Sequence, residues 1–248
     1  MTPVTNISSP GWRVGDIGNV PTGCEVARVA RVDRGRLTVL AATGERCLWP
    51  GGTLHDETVP AVGDWVAVRG ELAVAVLPRR TAFVRTAAGR GSAAQVVAAN
   101  VDVVFVVDSL VGEARLRRVE RYLAASWASG ATPVVVLTKA DLCPDVPAAV
   151  AQVAEDAIGV EVLPVSALTG SGLDRVAALL PPDCTAAMVG PSGMGKSSSP
   201  TPWPDGRSPT PPGSGTTAVA GTPRPHGSCT CCPAVACWWT PPVCASWR

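Results

Sequence analysis

Residues 185–206, TAAMVGPSGMGKSSSPTPWPDG, decide how the rest of the chain is read. Thr185–Val189 is an apolar run of strand type, and Gly190–Ser197 fits G-x-x-x-x-G-K-[ST] directly behind it. Glycines let successive backbone N–H groups turn inward on phosphate, Lys196 can reach the β and γ oxygens, and the Ser197 hydroxyl suits magnesium. The expected phosphate-binding residues are therefore Gly190, Pro191, Ser192, Gly193, Met194, Gly195, Lys196, Ser197 and Ser198. The alternative is a chance Gly/Ser turn in a chain with 25 glycines, and the strand in front argues against it. Behind the loop stand Pro200, Pro202 and Pro204. Each would cost about 3 kcal/mol inside a helix, so the helix that should carry the loop is expected to stop near Ser199.

Every other oddity of composition also falls after Ser198. Ser199–Arg248 contains no Leu, Ile, Phe, Lys or Glu, yet holds 11 of the 24 prolines and four of the eight tryptophans. Such a segment offers no period to a core and is expected to be disordered. The genetic code supplies a cause. If the third base of each codon is read with the first two of the next, Cys237–Thr240 must give Leu-Val-Asp, and Thr240–Val243 then permit Thr-Pro-Gly. The same shift over Ser198–Asp205 permits Leu-Thr-Asn-Ala-Leu-Ala-Gly, an amphipathic helix. The expectation is a frameshift close to codon 198 or 199.

The 248 residues leave room for two compact domains, and a net charge of +1 makes no case for nucleic acid by itself. MTPVTNISSPGWRVG at the start lacks a basic region followed by an apolar core, and no apolar run approaches the roughly 20 residues that span a bilayer. A cytoplasmic monomer with no membrane partner is expected. Cys24, Cys47, Cys143 and Cys184 are scattered and read as reduced thiols. Cys229, Cys231, Cys232 and Cys237, near His226, do not follow the paired spacing of structural zinc sites, so no zinc ligands are assigned. His55 reads as a turn or surface residue.

Residues 25–78 alternate in the manner of short strands, VARVARV, RLTVLAA, ERCLWP, DWVAVRG and ELAVAVLP, separated by Gly- and Asp-bearing turns. That pattern predicts an OB-fold-like barrel over 25–80. A tail over 1–24 precedes it, and a linker over 81–98, flanked and dotted by Arg79, Arg80, Arg85 and Arg90, follows. From 99 to 198 buried strand alternates with helix: 102–108, a helix from about Glu113, 133–138, a helix near 147–157, 160–166, a helix near 171–180, and 185–190. This predicts a parallel sheet covered on both faces. Leu116, Val119, Leu123 and Trp127 share one face of the first helix, and Gly130 is placed to end it.

In such a sheet ligands gather at the carboxyl ends of the strands. Leu137–Leu142, LTKADL, ends one strand. The Asp141 carboxylate, acceptor only, can take both N–H donors of the guanine edge, with the Lys139 stem over the base. Alone, the stretch is equally a helix-starting Asp beside a surface Lys. Pro164–Gly172, PVSALTGSG, ends the next strand, where backbone N–H groups near Ser166 and Ala167 can meet the guanine carbonyl; alone it is an N-cap and turn. The three loops together suit three parts of GTP.

Their order is unusual, because the base-reading loops precede the phosphate loop. Circular permutation preserves such a site, since domain termini lie close together. Here the sequence resembles the circularly permuted, ribosome small subunit-dependent GTPases of the RsgA/YjeQ family, over roughly residues 25–198, including VGDWVAV (62–68) and LPRRTAFVR (77–85). The resemblance implies an N-terminal OB barrel, a P-loop GTPase domain in permuted order, here truncated at 198, and an enzyme hydrolysing GTP to GDP and phosphate in late small-subunit maturation. It implies Thr138, Lys139, Asp141, Ser166 and Ala167 at guanine, Gly190–Ser198 at phosphate, Mg2+ on Ser197, and the small subunit and its rRNA as partners. Thr138 stands where many GTPases have Asn. The family's switch regions, its Asp-x-x-Gly motif and its zinc ligands are missing from the frame as written, and no residue is assigned as the one that orients the attacking water. The alternative function is a non-catalytic fragment that binds RNA or has lost function. For RNA, Arg31, Arg34, Arg36 and Trp65 of the barrel are the candidates, against solvated arginines and a core tryptophan.

Overall fold

The computed structural model describes residues 20–52, 54, 58–86, 94–112, 116–181, 184–191 and 234–239. They fall into two compact units: one runs to Asp102 and takes in Thr185, the other holds Val103–Pro181 and Ala186–Trp238.

In the first unit β1 (Glu25–Asp33), β2 (Arg36–Ala41), β3 (Gly44–Pro50), β4 (Trp65–Arg69) and β5 (Leu72–Val76) close into a barrel in the order β1-β2-β3-β5-β4. Alternation dictates this: Ala27, Val29, Leu37, Val39, Leu48, Val66, Val68 and Ala73 all point to one interior, and closure leaves no free edge. The other face of β4 is also covered, with Trp65 and Ala67 packed beside Val26 and Leu77. Trp65 is 1% exposed, and the buried Arg28 guanidinium lies 5.1 Å above its ring while donating to the Asn100 carbonyl at 3.1 Å. Asp64 is fully buried and accepts from Arg79 through both oxygens, each at 2.7 Å, and from the Ala61 N–H at 2.7 Å. The hydrogen bond to Asp64 raises the Arg79 pKa, against the opposing effect of burial. Gly63 must be glycine: at φ +87° an added Cβ would stand 2.2 Å from the Ala99 carbonyl oxygen.

Part of the stretch expected as a linker is structured. β6 (Ala82–Thr86) and β7 (Ala94–Ala99) pair antiparallel, and Val62 bridges to Ala98. The basic residues there distract from the alternation of AFVRT, which is the signal for a strand. Arg80 pairs with Asp102 at 2.9 Å, and Asp102 also accepts from the Thr185 N–H at 2.8 Å.

The second unit is a sheet in the order β10-β9-β8-β11-β12, from β8 (Val103–Ser109), β9 (Thr132–Thr138), β10 (Glu161–Pro164), β11 (Thr185–Gly190) and β12 (Ala234–Trp239). The pairs β8/β9, β9/β10 and β8/β11 are parallel. Strands buried on both faces read as continuous apolar runs, as VVFVV and PVVVL do. The helices are α1 (Leu116–Ser129), α2 (Val146–Asp156) and α3 (Leu173–Ala178). The buried face of α1 runs through Val119, Leu123 and Ser126, so Trp127, expected on that face, is instead 54% exposed. Small Ser126 at i+7 from Val119 lets the helix pack closely, and the large ring one residue on is turned outward. Gly130, at φ +85°, ends the helix as expected. The tail composition predicts no element, yet Ala234–Trp239 forms the edge strand next to β11; its Ala-Val-Ala-Cys-Trp-Trp run carries the Val and Trp that favour strands. The helix end expected near Ser199 lies outside the described residues, as do His55, Arg90 and the tail cysteines other than Cys237.

Candidate nucleotide site

The chain steps outward from β8 to β9 to β10, then returns to β11 on the other side of β8. That reversal makes a crevice at the carboxyl ends of the strands, the usual place for a ligand in an open α/β sheet.

Two of the three sequence-predicted loops meet there in detail. Thr138 ends β9, is 9% exposed, and donates its hydroxyl hydrogen to the Asp108 carbonyl at the end of β8 (3.1 Å), while its own carbonyl accepts from the Leu110 N–H (2.9 Å). Lys139 follows in the left-handed region (φ 61°, ψ 39°), a conformation rare outside glycine, Asn and Asp, and starts a tight 3-10 turn over Ala140–Leu142. The turn exposes the Asp141 carboxylate. From the next strand end, Val165 donates to the Leu137 carbonyl (2.8 Å) and accepts from Ala140 N–H (3.0 Å). Ser166, 1% exposed, donates its hydroxyl to Asp141 Oδ1 at 2.5 Å and accepts from the Thr169 N–H at 3.2 Å. Asp141 and Ser166, 25 residues apart in sequence, are thus one unit. Ala167 is exposed beside it. Gly172 shapes this loop: at φ +77° its Cβ would meet the Pro164 carbonyl oxygen at 2.3 Å.

The phosphate side is described as far as Pro191. Gly190 closes β11 at φ +156°, and a Cβ there would lie 2.3 Å from the Val107 carbonyl oxygen of β8. The first glycine of the motif is therefore required by close backbone approach, at the mouth of the cradle the motif needs. Ser192–Ser198, including Lys196 and Ser197, lie outside the described residues. The ends of β11 and β9 flank that of β8, so they stand about 10 Å apart at the ordinary strand spacing of about 4.8 Å.

Two contacts escape the sequence patterns. Asp108 receives Thr138, and no motif marks it. Trp49, not Trp65, is the exposed aromatic of the barrel: it is 47% exposed with the Arg36 guanidinium 4.4 Å over its ring. Trp65, offered as a stacking residue, is a core side chain, because VGDWVAV alternates around a strand covered on both faces. Arg31 pairs with Asp33 at 2.8 Å.

Known proteins resemble this chain in sequence and in fold. The RsgA GTPase family profile matches residues 76–199. Among curated relatives, the small ribosomal subunit biogenesis GTPase RsgA of Streptomyces coelicolor is 49% identical over 180 residues, 68% of this chain and 49% of its own. That of Opitutus terrae is 45% identical over 191 residues, 69% of this chain and 52% of its own. The chain thus spans about half the length of these relatives. The crystal structure of YjeQ from Thermotoga maritima superposes with TM-score 0.57 at 24% identity, covering 71% of this chain and 63% of that one. YloQ, a circularly permuted GTPase, gives TM-score 0.55 at 22% identity over 73% of this chain and 65% of its own. Both share the fold. With the match over half of its length, the chain belongs to the RsgA GTPase family.

Proposed function

We propose that the gene encodes a GTP-binding, GTP-hydrolysing factor for maturation of the small ribosomal subunit, acting in the cytoplasm as a monomer. The observation that carries the guanine assignment is the Ser166–Asp141 hydrogen bond at the ends of two adjacent strands. It holds a carboxylate, otherwise free to swing, in a fixed orientation with a second oxygen available. A fixed pair of acceptor sites matches the adjacent N1–H and N2–H donors of guanine, which adenine lacks. The left-handed Lys139 gives its stem a route over the base. Backbone N–H groups from Gly190 onward and the Lys196 ammonium would bear charge developing on the γ-phosphate as water attacks. Magnesium, when bound with GTP, neutralises phosphate charge; such ions keep several waters and need one or two protein oxygens, which the Ser197 hydroxyl fits. The small subunit is the proposed partner, with Trp49 and Arg36 the barrel groups best suited to a stacked rRNA base.

A second reading rests on Pro200, Pro202 and Pro204: the product as written is a fragment with lost turnover. The end of the family match at residue 199 supports a frame change there. So does the position of β12, which the shifted frame would end in Leu-Val-Asp-Thr-Pro-Gly, beside the strand leading into the phosphate loop. Phosphate release from GTP, with and without small subunits, separates the readings. The 248-residue chain should show no stimulated turnover, and the frame-restored protein should exceed it by at least about a hundredfold. Absence of turnover in both would defeat the GTPase proposal; equal turnover would defeat the frameshift.

A further inference from the structure

The strand that carries the phosphate motif does not set its own register. β11 has six residues, and Ala186, Ala187 and Val189 are exposed by 1%, 0% and 3%. An apolar run covered on both faces lacks the inside-outside alternation that fixes pairing, so its composition resists a slip only weakly. The register nevertheless matters at the far end of the strand. Gly190 lies against the Val107 carbonyl, where an added Cβ would stand 2.3 Å from the oxygen, and either neighbour, Val189 or Pro191, would bring a Cβ there. Gly190 therefore excludes wrong registers. The group that selects the right one stands at the near end.

Thr185, the first residue of β11, is 1% exposed, and Asp102 stands one position before β8. The Asp102 N–H donates to the Thr185 carbonyl at 2.8 Å, and Asp102 Oδ2 accepts from the Thr185 N–H at 2.8 Å. One residue thus takes both main-chain groups of its partner. From there the ladder continues as Val103–Ala186, Val104–Ala187, Phe105–Met188 and Val106–Val189. The carboxylate is itself braced: Oδ1 accepts from the Arg80 guanidinium at 2.9 Å, and the Arg80 N–H donates to the Asn100 side chain at 2.9 Å. Asn100, 1% exposed, donates in turn to the Gly63 carbonyl at 3.0 Å. A slip of one residue turns the next N–H of β11 toward the opposite edge of the strand and breaks the grip.

We propose, on the GTP reading above, that Asp102 is a positioning residue for the phosphate side of the nucleotide site: it sets the register of β11 and so the point at which the Gly190–Ser198 loop starts. Asp102 acts through Thr185 and the strand, without contact to the nucleotide.

The test compares the full 248-residue chain with its Asp102→Ala and Asp102→Asn variants in two measurements. In hydrogen exchange read on peptides, the amides of 185–190 should exchange at least about tenfold faster in Asp102→Ala, while those of 132–138 in β9 keep the parent rate. Equal protection of β11, or the same acceleration in both strands, would overturn the proposal. In titration with fluorescent GTP, Asp102→Ala should bind about tenfold more weakly. Asp102→Asn keeps one acceptor for the Thr185 N–H and should recover part of that loss; no recovery would overturn the grip on Thr185. A role in stability alone would lower the melting temperature but leave the GTP affinity of the folded protein level, which would also overturn the proposal. If Asp102→Ala fails to fold, Asp102→Asn is compared with the parent in both measurements, with the same signs expected. A parent that binds no GTP defeats the reading of the site and the positioning role with it. A parent that binds GTP, beside variants that bind it equally well, defeats the positioning role alone.

Discussion

The loops that follow β9 and β10 brace each other: Ala140 bonds to Val165, Ser166 to Asp141, and Thr138 to Asp108 on a third strand. Of the loop that follows β11 the described residues reach only to Pro191. Gly190 is locked against Val107, but beyond Ser198 the sequence supplies prolines where a helix should present its first N–H groups. The two halves of one candidate site therefore differ in what their letters are worth. LTKADL, a weak motif, acquires meaning from partners on neighbouring strands, whereas GPSGMGKS, a strong one, depends on a following segment that this frame does not provide.

The sharpest way to break the contrast is to strain each half at its glycine. Gly172→Ala and Gly190→Ala each force a Cβ to within 2.3 Å of a backbone oxygen. Each should cost about 2–4 kcal/mol of stability, read as a lowered melting temperature; a melt unchanged in either would show that loop free to relax. Ser166→Ala should leave the fold nearly intact but release Asp141, lowering GTP affinity about tenfold. If the affinity stays level, the hydroxyl does not position the carboxylate. Thr138→Val keeps the shape and removes the clasp to Asp108, for which about 1 kcal/mol of stability should be lost in urea titration. The smallest effect belongs to the barrel surface: Trp49→Ala should change stability by no more than about 0.5 kcal/mol while weakening single-stranded RNA binding about tenfold.

Most of the architecture is legible in the residues themselves. The barrel's alternation specifies which side faces inward, and the four apolar runs from Val103 to Gly190 specify a sheet with both faces covered. Trp65 and Trp127 were harder for a physical reason. A strand buried on both faces hides an aromatic that period-two alternation would place outside, and a small serine one position away can take a helix face that a large ring was expected to fill. The Asp108–Thr138 clasp joins residues 30 apart through a main-chain carbonyl, which leaves no mark on side-chain identity. Lys139 and Asp141 are legible as chemistry, but only the fold places Ser166 on that carboxylate.

Nucleotide preference tests the central claim most directly, namely that the Asp141 loop reads the base of the nucleotide whose phosphates lie at Gly190–Ser198. Titration of the chain with fluorescent GTP and XTP, parent against Asp141→Asn, reads it in one assay. An amide in place of the carboxylate keeps one acceptor for N1–H but sets its own NH2 against the guanine N2–H donors, whereas it can donate to the C2 carbonyl of xanthine. The account predicts a loss of GTP affinity of at least about a hundredfold with a gain for XTP. An Asp141→Asn protein that binds GTP as the parent does, with no gain for XTP, would contradict it.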